Sequence, residues 1–252
     1  MNAKKRDALG TRAKIGIIVP ATNTIVEPEM ATMQPPGVTN HVARASRSKR
    51  PPQDLETYKK YLGKSLDLEH AMDLLTSLEP DVIVHGHSAD SFVGGISGAT
   101  AMKSQLEAMS GGIPVIIPAL AMLRALEVLK KPQKLAILTP WMPPADEACK
   151  VFFEGAGYEV LAIKGLKHPD NLDIATADAA LLNRAVDEIN VPGVECIVKV
   201  GTNSAMARLV KDMEARLGKP VLTVNTVSYW AGLRFLGIHD KLAGFGRLAE
   251  NH

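Results

Sequence analysis

Short, nearly uninterrupted apolar runs alternate with longer stretches of helical periodicity along this chain. The runs rich in β-branched residues are KIGIIVP (14–20), HVARAS (41–46), DVIVHG (81–86) and IPVIIP (113–118), and then KLAILTP (134–140), YEVLAIK (158–164), ECIVKVG (195–201) and PVLTVN (220–225). Helical patterns fill the gaps, as in residues 54–78 and 205–218. Strands that are apolar on both faces and separated by helices predict parallel sheets covered on both sides, an α/β fold.

The pattern also repeats. AKIGIIVPATNT (13–24) matches QKLAILTPWMPP (133–144), each a strand that ends in proline. DVIVHGHS (81–88) matches CIVKVGTN (196–203), which sets Gly86 over Gly201, His87 over Thr202 and Ser88 over Asn203. GIPVIIPALAMLRALEVL (112–129) matches GKPVLTVNTVSYWAGLRFL (218–236). The expectation is two pseudo-symmetric, flavodoxin-like α/β domains facing a shared cleft. The first comprises residues 12–117 with 226–246, the second residues 118–225.

Ligands of open parallel sheets sit beyond the carboxyl ends of the strands. Pro20, Gly86, Pro140 and Gly201 end four of the strands and should meet there. A glycine at a strand-to-helix turn exposes backbone N–H groups that can hold a carboxylate or phosphate, so Gly86 is expected to make room for an anion. Ser88 and Asn203 follow as N-cap residues. Asn23, Thr24, Thr202 and Ser88 add side-chain donors, and Asn23 also fits an Asx turn that starts a helix. Trp141 would form an apolar wall.

Composition narrows the function. The 252 residues carry a net charge of +2, with 46% hydrophobic and 22% charged residues, an ordinary globular balance. The basic cluster RASRSKR (44–50) has no interleaved aromatics, so nucleic acid is not an expected partner. No apolar run reaches the roughly 18 residues of a membrane span. No signal-peptide pattern follows the charged N-terminus, so the cytoplasm is the expected location. Cys149 and Cys196 are far apart and fit no disulfide or zinc pattern.

His87 is the candidate acid/base, one position beyond a strand end and near the anion site. The alternative is a histidine that only hydrogen-bonds a ligand or caps a loop. His85 is expected in the interior. H-x-H can also pair on a metal, but only Asp90 offers a third ligand, so no metal is expected. Lys199 interrupts a buried strand and is a second candidate for chemistry, with structural pairing the competing role. Glu27 and Glu29 suit the first turn of a helix.

Three segments carry a family resemblance: IGIIVPATNTIVEPEM (15–30), VGTNS (200–204) and GHSADSFVGG (86–95). Together they resemble the aspartate/glutamate racemase superfamily, in the branch of maleate cis–trans isomerase and arylmalonate decarboxylase, over residues 13–240. The resemblance implies facing α/β domains, often in a homodimer, a small carboxylate substrate held by amides and hydroxyls, and no cofactor. It also implies a catalytic cysteine at one or both strand tips, at the positions of Gly86 and Gly201. Neither is cysteine here, and Cys196 is roughly 16 Å from Gly201 at strand rise.

The expected function is therefore a cysteine-independent proton transfer next to a carboxylate, of isomerase, decarboxylase or lyase type, with His87 as acid/base. The alternatives are a hydrolase of a lactone, amide or imide that uses His87-activated water, and a non-catalytic carboxylate-binding protein.

Overall fold

The computed structural model describes residues 6–46 and 67–252. Most of the helix expected over 54–78, and the end of the basic cluster, lie outside the described residues.

Strands β1 (Ala13–Pro20), β2 (Val38–Ala45), β3 (Val82–His85) and β4 (Val115–Ile116) form one parallel sheet in the order β2-β1-β3-β4. Strands β5 (Lys134–Thr139), β6 (Glu159–Gly165), β7 (Cys196–Lys199) and β8 (Val221–Thr223) form a second, in the order β6-β5-β7-β8. The helices are α1 (Val26–Thr32), α2 (Glu69–Thr76), α3 (Gly95–Met109), α4 (Pro118–Val128), α5 (Pro143–Gly155), α6 (Ala179–Ile189), α7 (Val210–Leu217), α8 (Val224–Phe235) and α9 (Arg247–Asn251).

Local chemistry sets these boundaries. Proline starts α4 and α5, where its missing N–H costs nothing. Asp178 caps α6 by accepting from the Leu181 N–H at 2.7 Å, and Leu182, Ala185, Val186 and Ile189 form its buried stripe. Two expected strands are shorter than their apolar runs. The run at 113–118 pairs only at Val115 and Ile116, and the run at 220–225 stops at Thr223, where α8 begins.

One hydrophobic cluster joins Ile18 and Ile83 of the first sheet, through Phe92, Phe152 and Phe153, to Ile137 and Val198 of the second. The halves thus share a core. Equivalent helices α4 and α8 pack on each other, and α8 reaches β3 where Gly232 leaves no side chain against Val84. Helix α4, assigned by sequence to the second domain, packs on α3 and α8.

The ladder register corrects the repeat by one residue. Ile18 of β1 pairs with His85, and the equivalent Leu138 of β5 pairs with Lys199. The Gly86 N–H then donates to Ile18 O at 2.7 Å, and the Val200 N–H to Leu138 O at 2.9 Å. Gly86 is therefore equivalent to Val200, and His87 to Gly201. Matching glycine to glycine shifts the two halves out of step.

Candidate active site between the two halves

Beyond Pro20 the chain turns, with the Asn23 N–H donating to Pro20 O at 2.8 Å. The Asn23 Oδ1 accepts from the N–H groups of Ile25 and Val26, both at 2.9 Å, so the Asx turn opens α1. Its Nδ2 crosses the cleft to Thr202 Oγ1 at 3.1 Å. Ser88 and Asn203 cross it too, instead of capping their own helices. Ser88 Oγ accepts from the Gly201 N–H at 3.1 Å, and Asn203 Oδ1 accepts from the Thr24 N–H at 2.9 Å. These three bonds tie the strand tips of one half to those of the other.

A small cavity lies between them, with a free volume of about 30 Å³. That is room for roughly two water-sized groups, the scale of one carboxylate. Asn23, His87, Ser88, Thr202 and Asn203 form its polar side, and Pro20, Pro140, Trp141 and Ile174 its apolar side. Trp141 is backed by Phe92, ring centroids 6.2 Å apart. Among the described residues, no protein acceptor takes the backbone N–H of Ser88, Thr202 or Asn203.

His87 is buried on this wall, and its Nδ1 is 3.2 Å from Asp90 Oδ2, itself buried. The His85 ring stands edge-on behind it at 6.1 Å, in the interior. The structure brings Asp90 to His87 as a partner. Among the described residues, no cluster of three or more His, Cys, Asp or Glu is placed to hold a metal ion.

Two expectations for the glycines separate here. A Cβ on Gly86 would stand 2.6 Å from Ile18 O and 2.9 Å from Val19 Cγ1, and Gly86 is not on the cavity wall. Gly86 makes room for strand β1. Gly201 does line the cavity, at φ +88°, and a Cβ there would stand 2.3 Å from Pro140 Cδ.

Thr24 contributes only its N–H, and its side chain is exposed. Lys199 is 2% exposed and lies off the cavity wall, its Nζ donating to Gly201 O at 2.5 Å and Ser204 O at 3.0 Å. Burial lowers its pKa to about 8, against the opposing pull of Glu29.

Thr22, Ala89, Asn171 and Ile174 also line the cavity and escaped the sequence reading. Asn171 lies in a Pro-Asp-Asn stretch that signals a loop, and its carbonyl accepts from Asn203 Nδ2 at 2.8 Å. Nothing local shows that this loop folds over the cleft. Cys149 and Cys196 are fully buried, and desolvation pushes both thiols above their usual range.

Two equivalent parallel units closing strand tip to strand tip on a carboxylate-sized cavity define a two-domain α/β enzyme class. Residues 15–249 match the profile of the arylmalonate decarboxylase family, and the chain belongs to that family, within the maleate isomerase and arylmalonate decarboxylase branch of the aspartate/glutamate racemase superfamily. Maleate isomerase of Pseudomonas putida is 26% identical over 247 residues, 93% of this chain and 96% of that protein. The Nocardia farcinica maleate isomerase is 25% identical over 248 residues, covering 93% and 94%.

Solved structures share the fold. A Nocardia farcinica maleate cis–trans isomerase mutant with a covalently bound succinylcysteine intermediate superposes with a TM-score of 0.83 at 23% identity, covering 95% of this chain and 99% of that one. A liganded arylmalonate decarboxylase mutant gives 0.80 at 19% identity, covering 95% and 100%. Among the described residues, no helix is long and apolar enough to cross a membrane.

Proposed function

We propose that this enzyme moves a proton at the carbon next to the carboxylate of a small substrate, with His87 as acid/base and without a thiol. The observation that carries this is the His87–Asp90 pair, at 3.2 Å on the cavity wall, beside backbone N–H groups with no protein acceptor. The relatives' names support the place of the reaction, since isomerisation of maleate and decarboxylation of an arylmalonate both act at a carbon beside a carboxylate.

The substrate carboxylate accepts hydrogen bonds from the amides of Ser88, Thr202 and Asn203. As negative charge builds on its oxygens in an enolate-like state, those bonds strengthen, which lowers the barrier. With the Asp90 carboxylate 3.2 Å from Nδ1, Nε2 is the atom assigned to exchange the proton with carbon, and the carboxylate steadies the imidazolium while it lasts. Trp141 and Ile174 oppose the polar side, and no Lys or Arg lines the cavity among the described residues. The site thus favours one carboxylate with an apolar remainder.

The sequence at the strand tips supports the thiol-free reading: the tip positions hold Gly86, His87, Val200 and Gly201, and burial in the core pushes both thiols above their usual range. The test is His87→Ala against a panel of maleate, arylmalonates and 2-arylpropionates. Turnover should fall by about 10²–10⁴-fold while carboxylate binding persists. Unchanged turnover refutes the assignment.

A further inference from the structure

We propose that Lys199 is the positioning residue of the anion site: its ammonium holds the 201–204 turn with carbonyls facing inward and amides facing the cleft, so that the charge on Lys199 governs carboxylate affinity. This rests on the carboxylate reading above and adds to it the residue that builds the site.

The geometry follows from the peptide unit. In a planar trans peptide the C=O and the next N–H point in opposite directions. Lys199 Nζ draws Gly201 O at 2.5 Å and Ser204 O at 3.0 Å, and Asn225 Nδ2 draws Thr202 O at 2.9 Å. Three carbonyls of one short turn are thus held on the inner side. The amides that follow Gly201 and Thr202, those of Thr202 and Asn203, are turned the other way, toward the cavity that both residues line. Only glycine adopts the φ of +88° at residue 201 without strain, which lets the turn invert there.

Without this clamp, carbonyl dipoles would be free to face a bound anion and repel it. The charge matters as well as the hydrogen bonds, because a neutral amine draws carbonyl oxygens more weakly than an ammonium. Glu29, on α1 of the other half, is the charged group that acts on Lys199. Its Oε2 accepts from Asn225 Nδ2 at 2.7 Å and its Oε1 from the Ala207 N–H at 2.9 Å, so it steadies the same loop. The equivalent position in the first half is His85, so lysine takes this place only in the second half. The second half offers the carboxylate the amides of Thr202 and Asn203, and the first half adds that of Ser88 together with His87, which supplies the proton.

The test uses the full chain and two monocarboxylate probes, propionate and phenylacetate, titrated calorimetrically from pH 7 to 10. Wild-type affinity should fall about tenfold through a midpoint near 8, as a charge-assisted hydrogen-bond set is lost. The amide resonances of Thr202 and Asn203 should move with the same midpoint in unliganded protein. Lys199→Met should bind about tenfold more weakly at pH 7, with no change up to pH 10.

Stability should move the other way. A lysine whose folded-state pKa is lowered costs stability while charged, so wild type should gain on Lys199→Met between pH 8 and 10 as its affinity falls. A merely structural lysine would show the same gain in stability with wild-type affinity unchanged. Wild-type affinity that stays level from pH 8 to 10 overturns the proposal, whether or not the variant folds. So does a folded variant that binds as wild type does, and that result leaves the carboxylate reading standing. Failure of wild type to bind either probe at any pH overturns the carboxylate reading and the inference with it.

Discussion

Gly201→Ala tests the crowding of the strand tips. Two costs apply at this position. A residue with a Cβ is strained at φ +88°, by about 1–2 kcal/mol. The new methyl would also stand 2.3 Å from Pro140 Cδ and 2.4 Å from Pro140 Cγ, in a ring that is no flexible chain end. Overpacking of this kind costs about 1–3 kcal/mol. Together the substitution should cost roughly 2–5 kcal/mol, or roughly 4–20 °C in melting temperature for a chain of this size.

Gly218→Ala supplies the control. Gly218 has φ +70° at the end of α7, but a Cβ there would meet nothing within 4 Å. It should lose only the backbone part, about 1–2 kcal/mol. Urea unfolding of both variants checks the difference, which should be about 1–3 kcal/mol with unchanged slope. Equal losses would refute the contact between Gly201 and Pro140, and with it the explanation for glycine at this wall of the cavity.

Asp90→Asn should lower turnover by about 10²-fold or more with little change in KM, because the carboxylate that balances the charge on His87 is lost; steady-state kinetics that show a raised KM at unchanged turnover would count against that role. Asp146 is half-buried and its pKa is pushed up to about 6 by desolvation, with Thr139 Oγ1 donating to it. A folded-state pKa above the unfolded one costs stability once the group ionises, so Asp146→Asn should be about 1–3 kcal/mol more stable than wild type at pH 8 and lose that gain progressively between about pH 6 and pH 4. An equal gain at pH 4.5 and pH 8, seen in paired urea melts, would contradict the buried charge.

Much of this architecture is legible in the chain because its strands are buried on both faces. KIGIIVP and KLAILTP read as strands without help from neighbours, and their equivalence announces two similar halves. The register of the repeat is less legible. Gly86 and Gly201 look alike in sequence, yet one yields to the backbone of β1 and the other adopts a left-handed turn against Pro140. Only the ladder bonds distinguish these causes.

The site was readable where its residues sit at strand tips, as His87, Ser88, Thr202 and Asn203 do. Their partners were not, because those bonds span the cleft. Ser88 and Asn203 carry the local signature of helix caps, and their acceptor atoms go instead to Gly201 and Thr24, far away in sequence. Asn171 and Ile174 reach the cavity from a loop whose course depends on packing over Trp141 and Asn203. Lys199 was visible as an oddity in an apolar strand, but its carbonyl partners are set by the fold of the turn that follows.

The central claim is that an imidazole, not a thiol, carries the proton at the substrate carbon. Deuterium incorporation from D2O next to the carboxylate of a converted substrate, followed by NMR, tests it most directly. The account predicts that Cys149→Ser combined with Cys196→Ser leaves exchange per folded molecule intact, while His87→Ala lowers it at least about 10²-fold. Exchange that survives without the imidazole, or that disappears with the two thiols, would contradict it.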